Sequence, residues 1–338
     1  MKRAGGQFYL WLVVLLIVAK GLAQTEPSDS GMTVRVDSRL VLVDVIPEYE
    51  DKSHTRALLT ELKQEDFRLF DNRKVVTIRS FDKGGTQGMR PIALWLIVQC
   101  PQGFSPGWAS DFLRGDAQQL RPALGHLNKD DVVGVAHWCD DGEAAVDAVP
   151  GHNPNEVLAK VDEILNARIS HGENRAGELA MQKLVRTIID NVQSTQPDRL
   201  PVMVFFYGDH CATYPNEAQE IIKAVLETSG MIFGISDGRW PFDAQKMHLW
   251  NSQIGYLVHY YSQQTGGEYY TTPDSKLYAA ALDYILSQVH LRYTLGFKPQ
   301  AIDGKVHSLK VELTKEAKSR FRDVTLRFRQ EYLPTAKP

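Results

Sequence analysis

Residues 92–100 of this 338-residue chain read IALWLIVQC, and this stretch decides the fold class. A continuous apolar run is typical of a parallel strand that is buried on both faces of its sheet. Similar runs follow at residues 132–139 (VVGVAHWC), 202–207 (VMVFFY) and 231–236 (MIFGIS), with helix-like periodicity between them. A weaker strand is predicted at residues 144–149 (AAVDAV), which makes residues 202–207 the fourth strand and residues 231–236 the fifth. Strand and helix alternate about six times along this part of the chain. We therefore predict a Rossmann-like α/β fold with a doubly wound, mostly parallel sheet and helices on both faces.

The segments before and after this core have a different pattern. Residues 33–83 and residues 291–332 are rich in Val, Ile and Leu, alternate partly with a period of two, and contain turn signals such as Asp303-Gly304. Neither segment has enough strands to close a hydrophobic core alone. We predict that they form the N-terminal and C-terminal halves of one small β-domain beside an α/β domain of residues 90–290. Two independent β-appendages on the edges of the sheet are the alternative.

The N-terminus carries the pattern of a signal peptide, which we assign to residues 1–23. Two basic residues precede an almost purely apolar run at residues 9–19, and Gly21 and Ala23 place small residues before a cleavage point. The apolar run is short for a transmembrane span, and an uncleaved N-terminal anchor is the alternative. We expect an exported protein, periplasmic or secreted, with no membrane contact after the signal peptide is removed.

The composition and net charge of the chain exclude some classes of function. Hydrophobic residues make up 43% of the chain and charged residues 23%, as in ordinary globular proteins. A net charge of -3 provides no basic surface for nucleic acid. The three cysteines, Cys100, Cys139 and Cys211, permit at most one disulfide and one remaining thiol in an oxidising compartment. They are too few for a disulfide scaffold, so the hydrophobic core has to supply most of the stability.

Motifs in both flanks and at the end of the core resemble one family. The N-terminal motifs are VRVDSRLVLVDV (residues 34–45), LKQEDFRLFDN (62–72) and VTIRSF (76–81). The C-terminal motifs are QTGGEYY (264–270), YTLGFKP (293–299) and DGKVHSLKVEL (303–313). Together they resemble bacterial proteins related to the von Willebrand factor A-type (VWA) domain, many of which are exported. The resemblance covers nearly the whole mature chain and implies that residues 90–290 form a VWA-type domain.

In VWA domains, a divalent ion lies above the carboxyl ends of the sheet and is held by Asp-x-Ser-x-Ser, a Thr and an Asp from three loops. At the corresponding positions this chain has Val98, Cys100, Gln102, Gly177 and Gly208. A hydrocarbon, a thiol and an amide do not replace the hard oxygen ligands that magnesium prefers. The resemblance therefore implies a degenerate metal site that binds no metal, and we expect no cofactor.

Cys100, Cys139 and Cys211 each follow a predicted parallel strand, so their sulfurs are expected at the same end of the sheet. Three interpretations remain open. Cys100 forms a disulfide with Cys139 or with Cys211, or the cysteines stay reduced as small apolar side chains. In the third interpretation, two or three thiolates and His210 hold a soft metal such as zinc.

The same end of the sheet carries residues suited to binding a partner. Trp108 follows the first strand of the core, Asp209 and His210 follow the fourth, and Trp240 and Phe242 follow the fifth. Exposed aromatic residues in such loops would form a patch for a partner. Packing of the aromatics beneath the loops, with the acidic residue near a helix N-terminus, is the alternative. We refer to these five residues as the predicted binding rim.

These features favour a non-enzymatic, extracytoplasmic protein-binding module, acting in adhesion or as a scaffold, whose protein partner is unknown. No nucleophile elbow, phosphate-binding glycine loop or zinc-protease motif follows any predicted strand. A thiol-dependent enzyme or soft-metal protein that uses Cys211 with His210 is one alternative. A purely structural protein of the cell envelope is the other.

Overall fold

The computed structural model describes residues 40–50, 56–85, 89–100, 117–139, 141–167, 174–207, 215–236, 254–271 and 277–334. The strands are β1 (Val41–Glu50), β2 (Arg56–Leu58), β3 (Phe67–Asp71), β4 (Lys74–Val76), β5 (Ile78–Lys83), β6 (Ile92–Gln99), β7 (Val132–Trp138), β8 (Ala144–Gly151), β9 (Leu200–Tyr207), β10 (Met231–Ser236), β11 (Tyr269–Thr271), β12 (Tyr293–Phe297), β13 (His307–Leu313), β14 (Val324–Phe328) and β15 (Glu331–Tyr332). The helices are α1 (Arg121–Leu124), α2 (Pro154–Ala167), α3 (Asn174–Thr195), α4 (Pro215–Thr228), α5 (Ile254–Thr265), α6 (Leu277–His290) and α7 (Lys315–Arg320). Short 3-10 turns cover Gln64–Asp66 and Ala117–Leu120. No helix in this part of the chain is long and apolar enough to cross a membrane.

The central sheet has six strands in the order β11-β10-β9-β6-β7-β8. The pairings between β11, β10, β9, β6 and β7 are parallel, whereas β8 runs antiparallel to β7. Every residue of β6, β7, β9 and β10 is buried. Burial on both faces explains why these strands are continuous apolar runs in the sequence.

Alternate residues of β6 face opposite sides of the central sheet. Leu94 and Leu96 belong to a hydrophobic cluster that includes buried residues of α2 and α6. Trp95 and Ile97 belong to a second cluster, with buried residues of α3, α4 and α5. Helices therefore cover this sheet on both faces.

Two antiparallel sheets are built from the flanks of the chain. One has five strands, ordered β14-β1-β12-β5 with β2 paired to β1, and the other has four, ordered β15-β13-β3-β4. Strands of the two flanks pair with each other, as β1 does with β12 and β3 with β13. A third hydrophobic cluster, which includes Val43, Leu69, Leu295 and Val311, contains buried residues from both sheets. The predicted domain boundaries stay a prediction, and residues 1–39 lie outside the described part.

The prediction of a doubly wound, mostly parallel sheet with a small β-domain is wrong. The architecture is mixed α/β, with two antiparallel sheets and a single sheet that is mostly parallel. Even this sheet ends in β8, which returns along β7 as a hairpin and is not the parallel strand expected at residues 144–149. The physical reason is local: only five residues, 139–143, join β7 to β8, and so short a connection permits only antiparallel pairing.

Candidate functional site

The carboxyl ends of β6, β7, β9 and β10 lie at one edge of the central sheet, because these strands are parallel. We call this the carboxyl edge. The strand order reverses at β6, since the chain continues to β7 on one side of β6 and later returns to β9 on the other. In open sheets of parallel strands, ligands bind outside the carboxyl ends at such a reversal. The carboxyl edge is therefore the first place to look for a functional site.

Val98 occupies the position that the VWA resemblance assigns to the first aspartate ligand. It lies within β6, opposite His137 of β7 and Phe206 of β9. Its side chain is fully buried in the cluster shared with α2 and α6. A buried isopropyl group offers no oxygen to a cation. Core packing thus takes up the first ligand position.

Cys100 and Cys139 form a disulfide, with their Cα atoms 4.8 Å apart. They directly follow the carboxyl ends of the neighbouring strands β6 and β7. The Cys100 amide donates a hydrogen bond to the Trp138 carbonyl at 2.9 Å, which extends the ladder between the two strands. The Cys139 amide donates to the Glu143 carbonyl at 2.7 Å, across the turn into β8. Both cysteines are buried, so the second ligand position holds an oxidised sulfur beneath the surface.

The remaining predicted site residues are less fully described. Gly177 lies in the first turns of α3. The other positions lie outside the described residues: Gln102, Trp108, Gly208, Asp209, His210, Cys211, Trp240 and Phe242. The predicted binding rim therefore stays a prediction.

His137, to which the sequence analysis assigned no role, lies beside the disulfide and is fully buried. Its Nδ1 atom is 2.6 Å from Oδ2 of Asp147, a residue of β8. Its Nε2 atom is 3.7 Å from Oε1 of Glu143, beyond hydrogen-bond distance, and has no hydrogen-bond partner among the described residues. A ring nitrogen of His137 and the sulfurs of Cys100 and Cys139 all lie within 4.8 Å of one another.

The antiparallel return of β8 creates this arrangement. His137 is paired with Ala145, and Asp147 lies two residues further along β8, on the same face. A carboxylate on Nδ1 fixes the tautomer of a histidine and leaves the Nε2 lone pair directed away from it. The one sequence signal for this pair is Asp147 itself, an acidic residue inside the otherwise apolar segment AAVDAV.

A second polar and aromatic group lies at the carboxyl ends of β9, β10 and β11. The Tyr207 and Tyr269 ring centroids are 6.2 Å apart, and His259 of α5 contacts Tyr269 edge-on at 5.7 Å. The hydroxyls of Ser236 and Tyr269 are 3.1 Å apart. Burial lowers the pKa of His259 below its ordinary value, although the charge of Glu268 opposes this.

No family model and no curated protein matches the chain, and the similarities found are to solved structures. A von Willebrand factor type A protein from Catenulispora acidiphila matches with a TM-score of 0.42 and 10% identity, over 82% of this chain and 76% of that one. An aerotolerance-related membrane protein from Bacteroides fragilis matches with a TM-score of 0.39 and 10% identity, over 58% and 99%. BatB from Bacteroides thetaiotaomicron matches with a TM-score of 0.37 and 12% identity, over 58% and 98%. VWA domains are thus among the solved structures to which this chain is similar, as its sequence motifs resemble that family.

Proposed function

We propose that this chain is an exported, non-enzymatic protein-binding module that acts as an adhesion or scaffold protein outside the cytoplasm. Its binding surface is formed by the segments that continue from the carboxyl ends of β6, β9 and β10. These segments are residues 101–116, 208–214 and 237–253, and they contain the predicted binding rim. Binding requires no oxygen-liganded divalent ion.

This proposal depends on what the structure shows at the end of β6. Strand order reverses there, which favours ligand binding next to it. Val98 and Cys100, at the positions of a VWA ion's ligands, are instead used for core packing and for a disulfide. These two positions therefore offer no side-chain oxygen to a hard cation, which supports binding through the side chains of the segments that follow.

The composition of these segments supports a protein partner. Trp108, Trp240 and Phe242 are the kind of large aromatic side chain that dominates the binding energy of protein interfaces. Nucleic acid is not favoured as a partner, because the chain carries a net charge of -3.

A photoreactive amino acid at position 240 should crosslink to a protein partner in the native extracytoplasmic fraction. The same amino acid at Val75, which is 59% exposed on β4, is the control and should give no specific adduct. Once the partner is purified, Trp108→Ala and Trp240→Ala should each raise the dissociation constant about 30-fold, the effect of losing a 2 kcal/mol interface residue. Isothermal titration calorimetry measures this change.

The free energy of unfolding of both tryptophan variants should stay within about 0.5 kcal/mol of the parent value, as for surface substitutions. Val75→Ala should change neither binding nor stability. If the tryptophan variants unfold several kilocalories per mole more easily and bind the partner normally, these side chains are core residues and the proposed surface is wrong.

Magnesium or calcium should leave the melting temperature of the mature protein unchanged. An ion that binds only the folded protein, and is present at 100 times its dissociation constant, would stabilise the fold by about 2.7 kcal/mol. Thermal unfolding readily detects a change of this size. Calorimetric scans with millimolar Mg²⁺, with Ca²⁺ and with chelator provide the comparison. A rise in melting temperature that the chelator reverses would contradict the ion-free proposal.

A further inference from the structure

Three soft-metal donors converge at the carboxyl edge. The sulfurs of Cys100 and Cys139 and a ring nitrogen of His137 lie within 4.8 Å of one another. In a tetrahedral zinc site with Zn–S bonds of about 2.3 Å, two sulfurs lie about 3.8 Å apart. Breaking the S–S bond and moving the two sulfurs apart would therefore bring all three donors close to zinc-binding separations. The donor set of two thiolates and one imidazole suits a soft or borderline ion and not magnesium.

The environment of His137 points to a ligand independently of the cysteines. Its side chain is fully buried, yet Nε2 has no hydrogen-bond partner among the described residues. A buried nitrogen without a partner is costly, and a bound ion or water is one arrangement that removes this cost. Asp147 holds Nδ1 at 2.6 Å, so Nε2 is the nitrogen with a lone pair to offer. A carboxylate on the far nitrogen is the usual partner of a histidine that binds zinc.

We propose that the reduced form of this chain binds one zinc-class divalent ion through Cys100 Sγ, Cys139 Sγ and His137 Nε2, and that the disulfide closes this site by oxidation. Asp147 is the positioning residue that orients the imidazole. The half-exposed Glu143 carboxylate lies 3.7 Å from Nε2. That carboxylate or a water molecule would supply the fourth ligand. This proposal does not depend on the protein-binding function.

The redox step is a thiol–disulfide exchange. A dithiol reductant gives two electrons and two protons to the Cys100–Cys139 bond, which yields two thiols, while the reductant becomes a disulfide. The incoming ion then displaces one proton from each thiol, and His137 binds as the neutral imidazole. Oxidation of the two thiolates by a disulfide reverses both changes and releases the ion. The site is therefore available only in a reducing environment.

Cobalt substitution tests the proposal directly. The full mature chain, reduced with a phosphine that is then removed without oxygen, should bind one Co²⁺ and develop a thiolate-to-cobalt absorption band in the near ultraviolet. The same titration on the oxidised chain should give no band. Competition with Zn²⁺ should abolish the band at one equivalent, and a chromogenic chelator then reports the zinc affinity.

Amino-acid substitutions distinguish the proposed ligands from other residues that could bind the ion. Asp147→Asn should weaken zinc binding about 10- to 100-fold, the usual effect of losing the carboxylate behind a histidine ligand. His137→Phe, which keeps a ring but removes both nitrogens, should weaken it more and should shift the cobalt spectrum. His126→Ala is the matched control, because His126 also pairs with a carboxylate, that of Asp283, but is largely exposed. Cys211→Ser should leave the affinity unchanged.

Each variant is first checked for native circular dichroism in its oxidised form, so a folding failure is not read as lost metal binding. The proposal is overturned if the reduced parent binds no ion, or if the oxidised parent binds equally well. It is also overturned if His137→Phe and Asp147→Asn bind like the parent while Cys211→Ser loses binding, since the ligands would then lie elsewhere.

Discussion

Replacing Asp44 by alanine should lower the free energy of unfolding by about 3–5 kcal/mol, the cost of leaving a buried charge without its partner. Asp44 Oδ1 accepts hydrogen bonds from Nε of Arg292 at 2.8 Å and from the Thr294 hydroxyl at 2.7 Å. Arg292 is 1% exposed and also donates to the carbonyls of Val289 and Arg90. Its guanidinium thereby joins β1 to the end of α6 and to the start of β6. Urea unfolding measured by circular dichroism gives the change.

Two further variants identify the charge as the cause. Asp190→Ala removes a pair of similar chemistry, with Arg186, in which both side chains are more than half exposed, so the loss should be at most about 1 kcal/mol. Asp44→Ala combined with Arg292→Met should recover much of the stability, because no buried charge is left unpaired. If the double variant is as unstable as the sum of the two single changes, packing and not the ion pair holds these segments together.

Removing the disulfide should be the second large effect. Cys100→Ala with Cys139→Ala should lower the free energy of unfolding by about 4 kcal/mol, because the bond closes a loop of 39 residues in the unfolded chain. This loop includes α1 and β7, so the unfolded chain gains considerable freedom without the bond. Urea unfolding of the oxidised parent and of the double variant gives the difference. Cys211→Ser, which keeps the bond, should unfold like the parent.

Mass spectrometry of peptides from the unreduced parent checks the premise of that prediction, since it should recover Cys100 linked to Cys139. A peptide that links Cys100 to Cys211 would contradict the pairing. An unchanged stability in the double variant would instead mean that the loop is already restrained in the unfolded state.

The buried parallel strands were predictable because burial on two faces requires apolar side chains at successive positions. Residues 92–100, 132–139, 202–207 and 231–236 all contain or overlap such strands of the central sheet. The direction of β8 was also open to prediction, because only five residues separate it from β7 and so short a connection permits only antiparallel pairing. The apolar pattern of the strands does not carry this information, and the fold class was wrong where it rested on that pattern alone. It was also wrong because the flanks form two antiparallel sheets of their own.

In the candidate site, too, some features could be predicted from the sequence and others could not. The residue types alone show that Val98 and Cys100 offer no side-chain oxygen to a cation. The disulfide partner of Cys100 could not be predicted from the sequence, because Cys139 and Cys211 both follow strands that were expected to lie next to the first core strand. His137 and Asp147 were missed because they are ten residues apart and meet only through the register between β7 and β8.

Residue chemistry by itself determined that a parallel core exists and that its central strands are buried. These properties are local, because they depend on side-chain polarity along one segment. The tertiary structure alone decided the pairing of the two flanks, the choice of Cys139 and the meeting of His137 with Asp147. Each of these depends on which residues meet in space, and strand register and packing of the whole fold decide that.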